Sequence, residues 1–255
     1  MTKMRITILG CGSSGGVPLI GNRWGACDPN NPRNRRSRVS VLVEKNGTTI
    51  LIDASPDMRA QLLACNLQKL DAVLFTHSHA DHCHGIDELR SINWLTKKPM
   101  DIYADTKTMQ DLKVRFDYIF NGTTDKFYKP SATPHVIDGA FEIGDIKITP
   151  FEQNHVNMTT LGFRLDDFAY STDVKTLDEA AFAVLADVKV WVVDCVRREP
   201  HPTHSHLAQT LEWITRVKPQ RACLTHMNES LDYAALATEL PAGVEPAYDG
   251  ITIEC

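Results

Sequence analysis

Thr76-His77-Ser78-His79-Ala80-Asp81-His82 puts three imidazoles and a carboxylate within seven positions, directly after the apolar run Asp71-Ala72-Val73-Leu74-Phe75. That run reads as a strand, and the residues that follow suit a helix, so the polar groups leave one strand end together. In an extended segment alternate residues share a face, which lets His77 and His79 converge on one metal ion. After the chain turns, Asp81 and His82 approach a second ion from another direction. A histidine-rich surface loop is the bland alternative, and the spacing argues against it.

Two metal ions need more ligands than four side chains supply. Further candidates stand at other expected strand ends: His155 after Ile146–Glu152, Asp173 after Phe168–Thr172 and His226 after Arg221–Thr225. Singly they read as a loop histidine, a helix N-cap and a residue closing a strand; together they complete a dinuclear set. Five imidazoles and two carboxylates suit Zn2+, and Mn2+ or Fe2+ are also compatible with such a donor set.

The pattern T-H-x-H-x-D-H with later His, Asp and His resembles the metallo-β-lactamase superfamily, and the likeness runs from the LGCGSSGGVP opening through STD to LTH. It implies an α/β (α+β) fold: a four-layer αββα sandwich of two mixed sheets flanked by helices, with two metal ions at its edge. By the resemblance His77, His79 and His155 hold one ion, Asp81, His82 and His226 hold the other, and Asp173 bridges them. Asp53, in Leu-Ile-Asp-Ala-Ser, resembles the acid that supports the ligating imidazoles, although a hydrogen-bonded turn acid is an equal reading. A metal pair lowers the pKa of a bound water toward about 7, which implies hydrolysis by a bridging hydroxide, with Asp81 and Asp173 as catalytic carboxylates.

The phosphodiesterase branches, PhnP-like cyclic phosphodiesterases and tRNase Z, carry a histidine outside the metal set between the bridging Asp and the last metal His. His204 occupies that place and by resemblance protonates the leaving oxygen, with His206 competing for the role. The Arg35-Arg36 pair and the Asp249-Gly250 dipeptide also resemble the PhnP-like branch. Arg35, Arg36 and His204 are candidate contacts to substrate phosphate; a solvated basic loop is the competing reading of the two arginines. That branch carries an extra structural zinc held by three Cys and a His. Here only Cys27 remains and Glu229 stands at the late position, so the extra ion is not expected. The expected function is hydrolysis of a small phosphodiester, cyclic or open, or of a nucleotide. Thioester or lactone hydrolysis within the superfamily is the alternative, and an RNA-processing nuclease or a non-catalytic metal-binding protein comes behind it.

The remaining composition sets bounds. With 255 residues, 27 basic against 32 acidic groups and a net charge of −5, bulk charge gives no reason to expect a long nucleic acid. Seven scattered cysteines without C-x-x-C suit reduced thiols in the cytoplasm; Cys83 and Cys195 read as small buried residues. No apolar run suits a membrane span. One domain over residues 1–255 is expected, with a homodimer open. Gly10-Cys11-Gly12-Ser13-Ser14-Gly15 spells a dinucleotide fingerprint, yet Gly16-Val17-Pro18 follows where a helix should open, so a tight glycine turn is the better reading. Trp24 and Tyr103 are candidate walls for a base or sugar, or plain packing residues. Expected helices cover Pro56–Ala64, Gly85–Leu95, Lys107–Phe120, Leu177–Leu185, Leu207–Arg216 and Tyr233–Leu240, and Asn46-Gly47 marks a hairpin.

Overall fold

The computed structural model describes residues 3–123 and 129–255. In chain order the first strands are β1 (Arg5–Gly10), β2 (Ser40–Lys45), β3 (Thr48–Ile52), β4 (Ala72–Leu74), β5 (Met100–Ala104) and β6 (Ala132–Val136). The second series is β7 (Phe141–Ile143), β8 (Ile146–Asn154), β9 (Thr159–Leu165), β10 (Phe168–Ser171), β11 (Val190–Asp194), β12 (Arg221–Thr225), β13 (Val244–Pro246) and β14 (Ile251–Glu254). They form two seven-stranded mixed sheets, ordered β14-β1-β2-β3-β4-β5-β6 and β13-β12-β11-β10-β9-β8-β7. The chain therefore fills one sheet, fills the second, and returns with β14 to the edge of the first.

Alternation along the strands makes the layers. In β2 and β3, Val41, Val43, Ile50 and Ile52 enter the core between the sheets, while Leu42 and Leu51 point into a second apolar cluster on the outer face. That outer face is covered by α1 (Met58–Ala64), α3 (Leu89–Thr96), α4 (Thr106–Arg115) and α5 (Asp117–Asn121), through Met58, Leu62, Leu89, Met109, Leu112 and Ile119. The short α2 (Ala80–Cys83) follows β4. The second sheet is covered by α6 (Glu179–Leu185), α7 (Leu207–Val217) and α8 (Tyr233–Glu239), through Ala181, Leu185, Trp213, Ile214 and Leu236. Helices, two sheets and helices give the αββα sandwich expected from the motif. The hairpin between β2 and β3 turns at Asn46 and Gly47, both left-handed at φ 48° and 79°, as a type I′ turn requires.

The structure differs from the sequence reading in its shorter elements. The segment from Lys107 to Phe120 is two helices, because Phe116, at φ −125° and ψ 41°, leaves the helical region between α4 and α5. Strands β5, β6, β13 and β14 carry no strong sequence signal. β6 and β13 even contain prolines, Pro134 and Pro246, which a sheet tolerates because both are outermost strands. No helix among the described residues is long and apolar enough to cross a membrane.

Candidate metal centre

Six strand ends build one site. β3 runs parallel to β4, and β10, β11 and β12 run parallel to one another, so the residues beyond their C-terminal ends gather on one edge of the sandwich. β3 delivers Asp53, β4 delivers Thr76 to His82, β8 delivers His155, β10 delivers Asp173, β11 ends on Asp194, and β12 delivers His226. Asp53, Asp173 and His226 are left-handed at φ 62°, 51° and 58°. Asp and His tolerate that conformation better than most residues, and it turns each side chain off its strand into the site.

Asp173 is the hinge of the arrangement. Its Oδ2 lies 3.7 Å from His77 Nε2 and 3.7 Å from His155 Nε2. Its Oδ1 lies 3.1 Å from His82 Nε2 and 3.3 Å from His226 Nε2. One carboxylate thus faces two separate sets of imidazoles, one with each oxygen. Asp81 joins the second set, with Oδ2 at 3.4 Å from His82 Nε2 and 3.6 Å from His226 Nε2. His79, more exposed, closes the first set with its ring 4.5 Å from that of His77 and 5.4 Å from that of His155. In each of the groups His77-His79-His155-Asp173 and Asp81-His82-His226, one donor atom per residue lies within 4.8 Å of the others. The Nε2 atoms of His77, His82 and His226 are buried without a hydrogen-bond partner. Buried polar atoms are as a rule hydrogen-bonded, and a cation on each side of Asp173 would satisfy these three.

A second layer orients the rings. Asp53 is fully buried; it accepts from Thr76 N at 2.8 Å, Thr76 Oγ1 at 2.9 Å and His82 Nδ1 at 2.7 Å. The Nδ1–H of His155 donates to Thr203 O at 2.8 Å. In both imidazoles the Nε2 lone pair is thereby turned into the site, the tautomer a metal ligand needs. Asp194 does related work. Its Oδ2 accepts from Ser205 N at 3.0 Å and Ser205 Oγ at 2.8 Å, while its buried Oδ1 stands 3.6 Å from His204 Nδ1 and 3.5 Å from His226 Nδ1.

Without bound ions the site balances its charge with protons. Burial opposes ionisation of His82, but Asp173, Asp81 and Asp53 outweigh it and raise its pKa well above the imidazole range. Burial likewise opposes a charged His226, yet Asp173 and Asp81 push it up to about 9. Burial and the cationic His82 hold His77 neutral. Burial disfavours the Asp173 carboxylate too, and His226 and His82 nonetheless keep it well below the carboxylate range.

A cavity of about 300 Å³ opens over the site, lined by His79, Asp81, His155, Asp173, His204 and His226 together with Ser14, Asn157, Met158 and Thr203. His204 Nε2 lies 3.9 Å from Asp173 Oδ2. His206 is the N-cap residue of α7 and is not among the lining residues.

The expected phosphate contacts Arg35 and Arg36 do not reach this cavity. Arg36 is 2% exposed, and its guanidinium donates to Leu231 O at 2.7 Å, Asn228 O at 3.2 Å and Asn34 Oδ1 at 3.4 Å. Arg35 lies over the Trp24 ring, 5.1 Å from its centroid, which also accounts for Trp24. Both arginines line a separate cleft beside α1. Where the PhnP-like branch is expected to hold its extra zinc, Cys27 sits beside Arg36 and Glu229 packs under Gly25, so a hydrogen-bonded cation joins the two loops. Tyr103 stacks between His135 and Phe141, outside the cavity lining. Cys83 and Cys195 are buried. The glycine loop docks on the His226 segment, with Ser13 N donating to Met227 O at 3.1 Å, and a Cβ on Gly10 would meet Arg38 O at 2.1 Å. Its glycines serve close backbone contact, and no helix follows it.

Sequence reasoning misses Asp194, Thr76, Thr203 and Ser205 as parts of the site. Asp194 carries a usable signal: like Asp53 and Asp173 it is an acid at the end of a buried apolar strand.

The chain belongs to the β-lactamase superfamily: residues 48–227 match the family model described as Beta-lactamase superfamily domain. Among solved structures it is similar to one described as a new diphosphatase from the PhnP family, at 33% identity and TM-score 0.93 over 100% of this chain and 98% of that one. The short form of human tRNase Z shares the fold at 16% identity and TM-score 0.69, covering 98% of each chain. A curated relative, an octanoyltransferase of Porphyromonas gingivalis, is 30% identical over 97% of this chain and 51% of its own length. This chain therefore spans about half of that relative.

Proposed function

We propose that the protein is a dinuclear metal-dependent phosphodiesterase acting on a small phosphodiester or nucleotide. The observation that carries the reading is the divided carboxylate of Asp173, one oxygen toward His77 and His155 and the other toward His82 and His226, with His204 beside it in the same cavity. His77, His79 and His155 would hold one divalent ion, Asp81, His82 and His226 the other, and Asp173 both. Bound there, a pair of ions such as Zn2+ or Mn2+ supplies Lewis acidity and a nucleophile at neutral pH.

The chain supplies the rest. His204 turns Nε2 toward the cavity and Nδ1 toward Asp194, so a proton on Nε2 stands ready for a departing oxygen while the carboxylate stabilises the imidazolium. Ser14 and Asn157 on the cavity wall offer donors to a phosphoryl group. A volume of about 300 Å³ suits a small ligand. A thioester would leave the proton donor at His204 with less to do, because a thiolate leaves without protonation; a lactone's alkoxide would still call on it.

The test is hydrolysis of bis(p-nitrophenyl) phosphate by protein freed of metal and then given Zn2+ or Mn2+, beside His204→Ala. Metal-dependent turnover lost in the variant at unchanged metal content supports the reading. A second reading, cleavage of a phosphoanhydride, is favoured by the likeness to the PhnP-family diphosphatase, and ADP in the same assay tests it. Turnover of S-octanoyl thioesters alone would overturn both.

A further inference from the structure

His201 lies outside the metal set and outside the cavity lining, yet its ring nitrogen organises the loop that carries His204. Its Nδ1 accepts from Thr203 N at 3.2 Å, from His204 N at 3.2 Å and from Thr203 Oγ1 at 3.3 Å. Its carbonyl accepts from Lys175 Nζ at 2.6 Å, two residues beyond Asp173. The same short segment is fixed from the other side, where His155 Nδ1 donates to Thr203 O at 2.8 Å. The His201 and His204 rings meet edge to face with centroids 5.0 Å apart. An acceptor at position i that takes the amides of i+2 and i+3 is the arrangement an Asn or Asp makes in an Asx turn; here an imidazole makes it.

We infer that His201 is a positioning residue: its unprotonated Nδ1 ties the Thr203 and His204 amides and so sets the His204 ring against Asp173 and Asp194. The role is distinct from that of Asp194, which faces the His204 side chain, because His201 acts on the backbone. It requires a neutral ring carrying its proton on Nε2, since an Nδ1–H would point at two other N–H groups. Burial, with His204 and Arg197 adding to it, lowers the His201 pKa to about 4, so the acceptor is present throughout the neutral range. Around it stand His204, Arg197, Lys175 and Asp194, three of them cationic or potentially so.

The inference rests on the proposed role of His204 for its kinetic consequence but not for its structural one, and two variants with two readouts separate these. His201→Phe keeps a ring against His204 and removes the acceptor. His201→Asn removes the ring and restores an acceptor for i+2 and i+3. With metal-loaded protein and bis(p-nitrophenyl) phosphate, His201→Phe should lower kcat about 10- to 100-fold with KM and metal content held, as a displaced proton donor does. His201→Asn should return to within about threefold of the native rate. In long-range histidine nitrogen–proton spectra of 15N-labelled protein, His201 should appear as the Nε2–H tautomer at pH 7, and the His204 signals should move in His201→Phe and stay in place in His201→Asn. Equal loss in both variants, a native rate in His201→Phe, or an Nδ1–H tautomer overturns the inference. If the spectra behave as stated while no phosphodiester is cleaved, the positioning role stands and the phosphodiesterase reading falls.

Discussion

Replacing Asp53 by Asn isolates what one buried charge does for the metal centre. The side chains are isosteric, and Asn is among the residues that accept the left-handed φ of 62° found there, so backbone strain does not confound the comparison. Asp53 accepts three hydrogen bonds, from Thr76 N, Thr76 Oγ1 and His82 Nδ1. An amide has one oxygen for these donors, and its NH2 must face another of them. If the oxygen stays with Thr76 N, the NH2 opposes His82 Nδ1–H, and the ring must turn or move its proton to Nε2, the atom needed for the ion. Loss of such a partner costs about 10- to 100-fold in metal affinity, or about 1.4–2.8 kcal/mol at about 1.4 kcal/mol per decade. Competition with a chromophoric chelator on metal-free protein reads the affinity of each ion. The weakening should fall on the ion held by His82, Asp81 and His226, and the other should change less. An Asp53→Asn variant that binds both ions with native affinity would refute the reasoning, as would equal weakening of the two.

Other expectations follow from the same geometry. In metal-free protein His226 ionises at about 9, above its ordinary value, because Asp173 and Asp81 outweigh burial. Its stabilisation is therefore complete below about pH 6.5 and is lost as pH rises through about 9. The thermal midpoint of the metal-free form should fall over that interval, and loading with Zn2+ at pH 7.5 should release protons, measurable with a pH indicator. Arg36→Met takes the guanidinium from the carbonyls of Asn228 and Leu231, which keep only the longer contacts from Leu231 N at 3.3 Å and Cys27 Sγ at 3.4 Å; a loss of about 1–3 kcal/mol, seen as a lower denaturation midpoint, is expected. Metal affinity measured far below that midpoint should change less, because Arg36 touches no ligand. Asp194→Asn removes the charge facing His204 and His226, so kcat at saturating metal should drop at least about tenfold while the ion beside His226 is held more weakly, and a native rate would show that the charge is unused.

The divide between what the sequence revealed and what it hid follows the range of the interactions. The cluster from Thr76 to His82 is legible because its imidazoles and carboxylate are local, packed into one strand end whose spacing has few other uses. His155, Asp173 and His226 are each ambiguous alone and become informative as a set. The two-sheet architecture was legible in two series of short apolar runs with helices between them, whereas β6 and β13 were obscured by Pro134 and Pro246, which lie in outermost strands. The basic run Arg33 to Arg38 stayed ambiguous because sequence shows charge but not destination. Arg33 lies over Tyr233 and Tyr248, Arg35 over Trp24, Arg36 reaches the carbonyls of residues 228 and 231, and Arg38 pairs with Asp57 at 3.0 Å. Asp194 and His201 escaped notice because their partners, the Nδ1 atoms of His204 and His226 and the amides of residues 203 and 204, are defined only once the loop before α7 has folded.

The most direct test is a titration of metal-free protein with Zn2+ or Mn2+ in which bound ions and hydrolysis of bis(p-nitrophenyl) phosphate are followed in the same sample. Turnover should appear with binding and reach its plateau at two ions per chain, and Asp173→Asn should abolish the second equivalent together with the activity. A plateau at one ion, or no turnover with two ions bound, would contradict the dinuclear phosphodiesterase.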